Sequence, residues 1–326
     1  MRAVVITEPG APGVLRLREV PDPEPGPEEV RVRVQAAGIN RADLLQRQGL
    51  YPAPDGAPAD IPGLEYAGVV DAVGERVSVW SPGERVMGLV GGGAYAEYVV
   101  VPADQILPIP QGSEAEAAAA IPEAFITAHD ALRVRLGVAP GETVLVHAVG
   151  SGVGTAALQL ALAWKVRVIG TSRSGWKLDR AAALGLETGV RAEDGAFADA
   201  VLAATRGLGV EAILDLVGGD YLVGDLRCVA PRGRIAVVGL TRGREANVDL
   251  GTVLTKRLTL VGTVLRSRTD VEKSAAARAF MEDGLPHLYR GGVKPVVHEV
   301  LPMEDAARGH ELVASNETFG TVVLSW

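Results

Sequence analysis

The rhythm of apolar and polar residues changes near residue 114. Before it, apolar runs are short and closely spaced. Residues 3–7 form one, and Val30-Arg-Val-Arg-Val34 alternates with a period of two, as a strand with one buried face does. Residues 66–73, 85–89 and 95–101 predict further strands, broken by Gly74, Pro82-Gly83 and Gly91-Gly-Gly93. The proline-rich stretch 21–27 predicts a rigid loop. Residues 36–49 predict a loop running into a short helix that Gly49 stops. Many short strands at this spacing predict a small barrel or sandwich.

Beyond residue 114 longer segments alternate. Helices are expected at 114–120, 124–136, 155–163, 178–184, 196–205 and 221–229, and strands at 143–146, 166–170, 210–216, 235–238 and 258–262. Strand–helix alternation of this kind predicts an α/β fold with a doubly wound parallel sheet. The tail adds a helix near 271–284, a strand near 296–300, a helix near 304–314 and a strand at 321–324. The expected division is residues 1–120, 121–264 and 265–326, the last returning to the first domain.

The most informative stretch is Thr143-Val-Leu-Val-His-Ala-Val-Gly-Ser-Gly-Val-Gly154, followed by small and apolar residues to Ala163. Strand, glycine turn and tightly packed helix form the dinucleotide-binding arrangement, in which backbone N–H groups and a helix N-terminus receive a pyrophosphate. The match to G-x-G-x-x-G is imperfect, with Val149, Ser151 and Gly154 at its three glycine places. A second apolar strand at the spacing of a βαβ unit strengthens it. Gly150, Ser151, Gly152, Val153 and Gly154 are therefore the candidate phosphate cradle.

The chain has 326 residues, 48% of them hydrophobic, and a net charge of −8. That is a globular composition, and an acidic one, which argues against nucleic-acid or anionic-membrane partners. One cysteine, Cys228, excludes a disulfide framework and a cysteine-rich zinc site. No signal peptide and no apolar span long enough for a membrane is evident, so the expected location is the cytoplasm.

Several stretches together are specific: Gly38-Ile-Asn-Arg-Ala-Asp-Leu-Leu-Gln-Arg-Gln-Gly49, Ile61-Pro-Gly-Leu-Glu-Tyr-Ala-Gly-Val-Val70, Gly83-Glu-Arg-Val86, Ala119-Ala-Ile-Pro-Glu-Ala124, 147–154, Leu265-Arg-Ser-Arg268 and Ala314-Ser-Asn-Glu-Thr-Phe-Gly320. The chain resembles the zeta-crystallin-like quinone oxidoreductases, the zinc-free branch of the medium-chain dehydrogenase/reductases. Ser-Gly-Val-Gly-Thr155 and Leu-Arg-Ser-Arg268 are most like their tumour-suppressor-inducible subgroup. The resemblance implies a Rossmann domain, a GroES-like β-rich catalytic domain completed by the C-terminal residues, a cleft between them, NADPH as cofactor and a homodimer through the edge of the Rossmann sheet.

The residues after the second strand of the βαβ unit, Thr171-Ser-Arg-Ser-Gly-Trp-Lys177, contain no carboxylate. An NAD site ends that strand in an acid that holds the ribose 2′-hydroxyl, whereas an NADP site offers phosphate donors. Ser172, Arg173 and Lys177 are such donors, or else a solvated cationic helix start. In the family a lysine at the place of Lys177 takes this role. The family's Asn-Tyr pair near the phosphate is Gly189-Val190 here, and Arg191 follows as a possible substitute.

Asn40 sits where the family holds the nicotinamide or the acceptor oxygen, although it also suits a helix cap. Tyr51, on a proline-rich loop, either donates to an acceptor carbonyl or anchors the loop. Ser151 offers a hydroxyl to the pyrophosphate or nicotinamide amide. Thr127 matches a position near the nicotinamide ribose, or is a back-bonded helix threonine. By resemblance, Val238, Gly239, Leu240, Val264, Leu265 and Arg266 contact the nicotinamide end through backbone groups. The expected catalytic residues are Tyr51, Asn40 and Ser151, with no metal ligand. The places where zinc relatives carry Cys and His read Asn40-Arg-Ala-Asp43 and Gly63-Leu-Glu65. The expected reaction is NADPH-dependent hydride transfer to a quinone. Two alternatives are a 2-alkenal or enoyl-thioester reductase and an NADPH-binding protein with little turnover.

Overall fold

A computed structural model describes all 326 residues, Met1–Trp326. The chain forms two compact units. One takes Met1–Ile126, Leu265–Tyr289 and Pro295–Trp326; the other takes Thr127–Val264 and Arg290–Lys294. The chain passes from one to the other inside a helix. Five residues near the end, Arg290–Lys294, cluster with the second unit.

The first unit begins with strands β1 (Arg2–Ile6) and β2 (Leu15–Glu19), which pair antiparallel. Its main sheet is built on β3 (Glu29–Ile39), which bonds to β4 (Glu65–Val73), to β6 (Tyr98–Pro102) and to the last strand of the chain. Strands β5 (Arg85–Leu89) and β7 (Ile106–Pro108) extend it. β3 is longer than the alternation at 30–34 predicts. Residues 36–39, expected as loop, are Ala-Ala-Gly-Ile at the buried end of the strand. Both faces are covered there, so no alternation marks it. Helix α1 (Arg41–Arg47) follows at once, then α2 (Ala115–Ala118) and α3 (Pro122–His129). The helix expected over 124–136 changes at Asp130 to a π-helical stretch, Asp130–Arg135.

The second unit holds a six-stranded, wholly parallel sheet of β8 (Thr143–Val146), β9 (Arg167–Ser172), β10 (Thr188–Arg191), β11 (Val210–Asp215), β12 (Val229–Val237) and β13 (Thr259–Gly262). Their order is β10-β9-β8-β11-β12-β13, the 3-2-1-4-5-6 order of dinucleotide-binding domains. Helices α4 (Gly152–Ala163), α5 (Gly175–Ala182), α6 (Ala198–Ala204), α7 (Tyr221–Cys228) and α8 (Leu250–Lys256) connect them. Right-handed crossovers running opposite ways from β8 and β11 place α4 and α5 on one face and α7 and α8 on the other. The chain therefore parts between β8 and β11, the switch point where such sheets bind ligands. Strand β12 starts at Val229, where the apolar pattern had predicted the end of a helix. β10 and α8 carry too little periodicity to predict.

The chain ends with α9 (Asp270–Asp283), α10 (Leu285–Tyr289), β14 (Val297–Pro302), α11 (Ala306–Ser315) and β15 (Thr321–Ser325). β15 pairs antiparallel with β3, which joins the last strand to the N-terminal sheet. The predicted doubly wound sheet and the β-rich domain completed by C-terminal residues are both present. No helix is long and apolar enough to cross a membrane.

Candidate active site

In the second unit, β8 hands the chain to α4 through His147, Ala148, Val149 and Gly150. Ala148 takes a left-handed φ of 48°. A Cβ on Gly154 would lie 2.3 Å from the Ala148 carbonyl oxygen, so the helix passes its turn at backbone distance. Ser151 caps α4, its Oγ accepting from the Gly154 N–H at 3.0 Å. The hydroxyl proton of Ser151 remains to donate. The first-turn N–H groups of Gly152 and Val153 precede the helical hydrogen bonds, as an anion site requires.

His147 is the buried core residue its apolar setting suggests. Its Nδ1 lies 2.8 Å from Thr171 Oγ1 and its Nε2 2.7 Å from Asp225 Oδ1. It thereby ties the end of β8 to the end of β9 and to α7. The rings of Phe197 and Tyr221 meet it edge-on.

β9 ends at Ser172, which is buried and accepts from the Ser174 N–H at 3.2 Å. Arg173 is exposed, and Lys177, on α5, lies over the ring of Trp176. Strand register sets Val190 beside Thr171 and Arg191 beside Ser172. Arg191, the possible substitute for the missing tyrosine, thus lies in register with the end of β9, and its guanidinium donates to Glu193. Sequence reasoning missed Arg242. It follows β12, bonds Asp220 at 2.8 Å and lies 5.8 Å over the ring of Tyr221. Burial raises the Tyr221 phenol pKa, and the charges of Arg242 and Arg173 pull it down. No spacing in the sequence links Arg242 to Arg173; the two meet only through the charge each exerts on Tyr221.

The N–H groups of Val238 and Gly239 both go to the Asp215 carbonyl, and a Cβ on Gly239 would lie 2.3 Å from Leu216 O. Leu240 and Val264 are about half exposed. Thr127 is buried, and its hydroxyl makes no hydrogen bond, so the back-bonded alternative does not form. A buried hydroxyl left unpaired costs stability unless a ligand meets it.

The first unit holds Asn40, Tyr51, Leu265 and Arg266. Asn40 Nδ2 donates to Glu65 Oε1 at 2.8 Å, and its backbone N–H donates to Asp43 Oδ2 at 2.7 Å. Glu65 is wholly buried, and its other oxygen accepts from the Glu123 N–H. Gly38 makes room for this carboxyl, since a Cβ there would fall 2.0 Å from Glu65 Oε1. Asp43 also accepts from the Gly63 N–H and from the Tyr95 hydroxyl. Tyr95 meets His310, whose other ring nitrogen faces Arg47. Because Arg47 can only donate, His310 Nδ1 is the acceptor and Nε2 carries the proton toward Tyr95. Leu265 is buried. The Arg266 side chain, expected near a cofactor only through its backbone, turns into this unit and bonds the Tyr51 carbonyl at 3.1 Å.

Residues 26–111 match the alcohol dehydrogenase GroES-like domain family, and residues 152–280 match the zinc-binding dehydrogenase family. A quinone oxidoreductase of Pseudomonas aeruginosa is 37% identical over 318 residues, covering 97% of this chain and 96% of its own. The chain belongs to the quinone oxidoreductase family. A solved Escherichia coli quinone oxidoreductase complexed with NADPH is 29% identical with a TM-score of 0.89, each chain covered in full. A solved NAD-dependent alcohol dehydrogenase is 37% identical with a TM-score of 0.89, also over the full length of both.

Zinc is implied by one of the matched family descriptions, and the donor set here does not fit it. No three His, Cys, Asp or Glu side chains converge where they could hold a metal. Asp43 and Glu65 already accept N–H bonds, and the one cysteine is buried in the second unit. A nicotinamide nucleotide fits better: the turn at Gly154 lets backbone approach it, and Thr127 keeps an unpaired hydroxyl.

Desolvation raises three carboxyls of this family member, the buried Asp43 to about 6 and Glu65 to about 8, and the half-buried Glu123 to about 7. Each folded-state value exceeds its unfolded one, so the native state holds extra protons and stability falls as pH rises through these values. His310 acts oppositely. Burial lowers it to about 3, so stability is lost as pH drops below the ordinary histidine value of 6.5. Denaturant titrations are expected to show stability falling from about pH 6.5 to 8, carried by Glu65 throughout and by Glu123 up to about pH 7, each adding at most about 1.4 kcal/mol per pH unit. Glu65→Gln should shrink that fall, and an unchanged slope in the variant would contradict the assignment.

Proposed function

We propose that this chain is an NADPH-dependent quinone oxidoreductase that reduces quinones by hydride transfer without a metal. The observation that carries the reading is the end of β9, where Ser172, Arg173 and Arg191 stand together and no acid ends the strand. Such a site suits a 2′-phosphate better than the acid-terminated strand that holds a free 2′-hydroxyl. Membership of the quinone oxidoreductase family supports the acceptor class.

Bound NADPH supplies a hydride from its nicotinamide. The chain's own residues bind and orient. Gly150, Ser151, Gly152, Val153 and Gly154 receive the pyrophosphate, with Gly154 allowing close approach and the start of α4 contributing partial positive charge. Ser172, Arg173 and Lys177 hold the 2′-phosphate, aided by Arg191 and Arg242. Thr127 offers its hydroxyl to the ribose. Val238, Gly239, Leu240, Val264 and Leu265 border the nicotinamide. Asn40, fixed by Glu65, and Tyr51 serve the acceptor oxygen, where negative charge develops. Oxidising an alcohol would demand a Lewis acid to lower its pKa, and these residues supply no ligand set for one. A quinone is electrophilic already.

The proposed partner is a second copy of the chain, with no nucleic acid and no membrane. β13 is the edge of the parallel sheet, and Leu260, Leu250 and Leu254 on β13 and α8 are 48%, 74% and 76% exposed. An uncovered apolar strand edge invites pairing. We place the enzyme in the cytoplasm.

The direct assay follows loss of NADPH absorbance with quinones, 2-alkenals and enoyl thioesters. Quinones are expected to react best. Tight NADPH binding with no turnover across the panel would leave a binding protein. In Arg173→Ala/Lys177→Ala, the preference for NADPH over NADH should drop by about tenfold or more, as expected when charge-assisted phosphate bonds are lost. Unaltered selectivity would refute the phosphate site. Ser151→Val should slow turnover while the chain stays folded by circular dichroism; wild-type rates would remove Ser151 from the mechanism. Sedimentation equilibrium should give twice the monomer mass for the wild type and the monomer mass for Leu260→Arg, and a monomeric wild type rejects the pairing.

A further inference from the structure

Residues 51–60 form a loop with three prolines, Pro52, Pro54 and Pro58. Proline has no N–H, so such a loop can do little to fix its own shape. One internal bond is present, from the Ala57 N–H to the Pro54 carbonyl. The loop is instead held from outside. Arg266, 5% exposed, donates from Nε to the Gly91 carbonyl at 2.9 Å, from Nη1 to the Tyr51 carbonyl at 3.1 Å and from Nη2 to Gln46 Oε1. Gln46 then donates from Nε2 to the Ala59 carbonyl at 3.0 Å. Both ends of the loop are thus tied, through one guanidinium and one amide, to α1 and to the glycine run at 91–93. Gly91 permits this closeness, since a Cβ there would meet Pro54 at 2.8 Å.

The same guanidinium lies over the ring of Tyr51, 4.9 Å from its centroid. A cation stacked on a phenol stabilises the phenolate and makes the O–H a better donor. The charged groups facing Tyr51 are Arg266 and, from α3, Glu123; Arg266 in turn also faces Asp43. Burial pushes the Tyr51 phenol up, Arg266 pulls it down, and Glu123 pushes it up slightly further.

We propose that Arg266 is the positioning residue of acceptor reduction, fixing the Tyr51 ring and making its phenol the proton donor to the acceptor oxygen. This rests on the quinone reductase reading. The quinone gains a hydride, and with it two electrons, at the expense of NADPH. The resulting oxygen anion takes the Tyr51 proton, so the phenol O–H breaks and a hydroquinone O–H forms. The phenolate left behind beside Arg266 recovers a proton from water. Lysine in place of Arg266 would keep the charge and lose the planar fork.

The test separates charge from strap. Tyr51 ionisation is read by ultraviolet difference titration without NADPH, assigned by comparison with Tyr51→Phe. In Arg266→Gln it should move up by about one pH unit or more. In Arg266→Lys it should stay within about half a unit of wild type, since an opposite charge remains nearby. In both, kcat/KM for 1,4-benzoquinone should fall by about tenfold or more, the scale on which a misplaced donor acts. NADPH affinity, measured by fluorescence, should hold within about twofold, because all three bonds lie within the first unit. Arg266→Gln combined with Tyr51→Phe should be no slower than Tyr51→Phe alone. An unmoved titration in Arg266→Gln, or losses that multiply in the double variant, overturns the proposal. Should Arg266→Gln fail to fold, Arg266→Lys decides: a lower quinone kcat/KM with a preserved titration supports the strap, and wild-type kinetics overturn it. If the wild type reduces no quinone, the functional reading fails, and the titration still decides whether Arg266 governs Tyr51.

Discussion

At Gly154 helix α4 runs so near the turn before it that a methyl group would collide with a carbonyl oxygen. This one close passage sets the turn between β8 and α4 in the second unit. It fixes where Ser151 caps the helix and where the first N–H groups of α4 open. His147, immediately before the turn, carries the constraint outward by bonding Thr171 and Asp225, so that the ends of β8, β9 and α7 hold one arrangement. A binding surface made of backbone groups has to be held this firmly, because backbone dipoles act only at hydrogen-bond distance.

The first unit solves a different problem. It buries Asp43 and Glu65 completely and satisfies them with N–H donors from Asn40, Gly63 and Glu123. Burying carboxyls is costly, and such networks are tolerated only when their oxygens are met. The return is that Asn40 has little freedom: its amide and its backbone N–H are both committed. Tyr51 is held by a neighbouring device, the guanidinium of Arg266. Asn40 and Tyr51 thus rest on buried charged groups, and the turn at Gly154 rests on backbone packing.

Membership of the quinone oxidoreductase family gives these features a common purpose. Among zinc-dependent dehydrogenases a metal organises the reacting oxygen. Here the corresponding segments carry Asn40, Asp43 and Glu65, and their polar atoms are spent on one another and on backbone. An acceptor that is already electrophilic needs orientation and a proton more than it needs a Lewis acid.

Much of this was legible in the sequence by itself. The strand, glycine turn and helix at 143–163, the alternation beyond residue 114 and the missing acid after β9 are local patterns, set by periodicity, backbone sterics and charge type. They determined the fold class, the place of the glycine turn before α4 and the lack of an acid at the end of β9. The full length of β3 was hidden, because a strand covered on both faces loses its alternation. The arrival of Arg242 beside Tyr221, the unpaired hydroxyl of Thr127 and the turning of Arg266 onto Tyr51 were decided by tertiary structure alone. Each depends on segments far apart in the chain meeting at hydrogen-bond or stacking distance, and no local pattern encodes which distant partner a buried polar group will find.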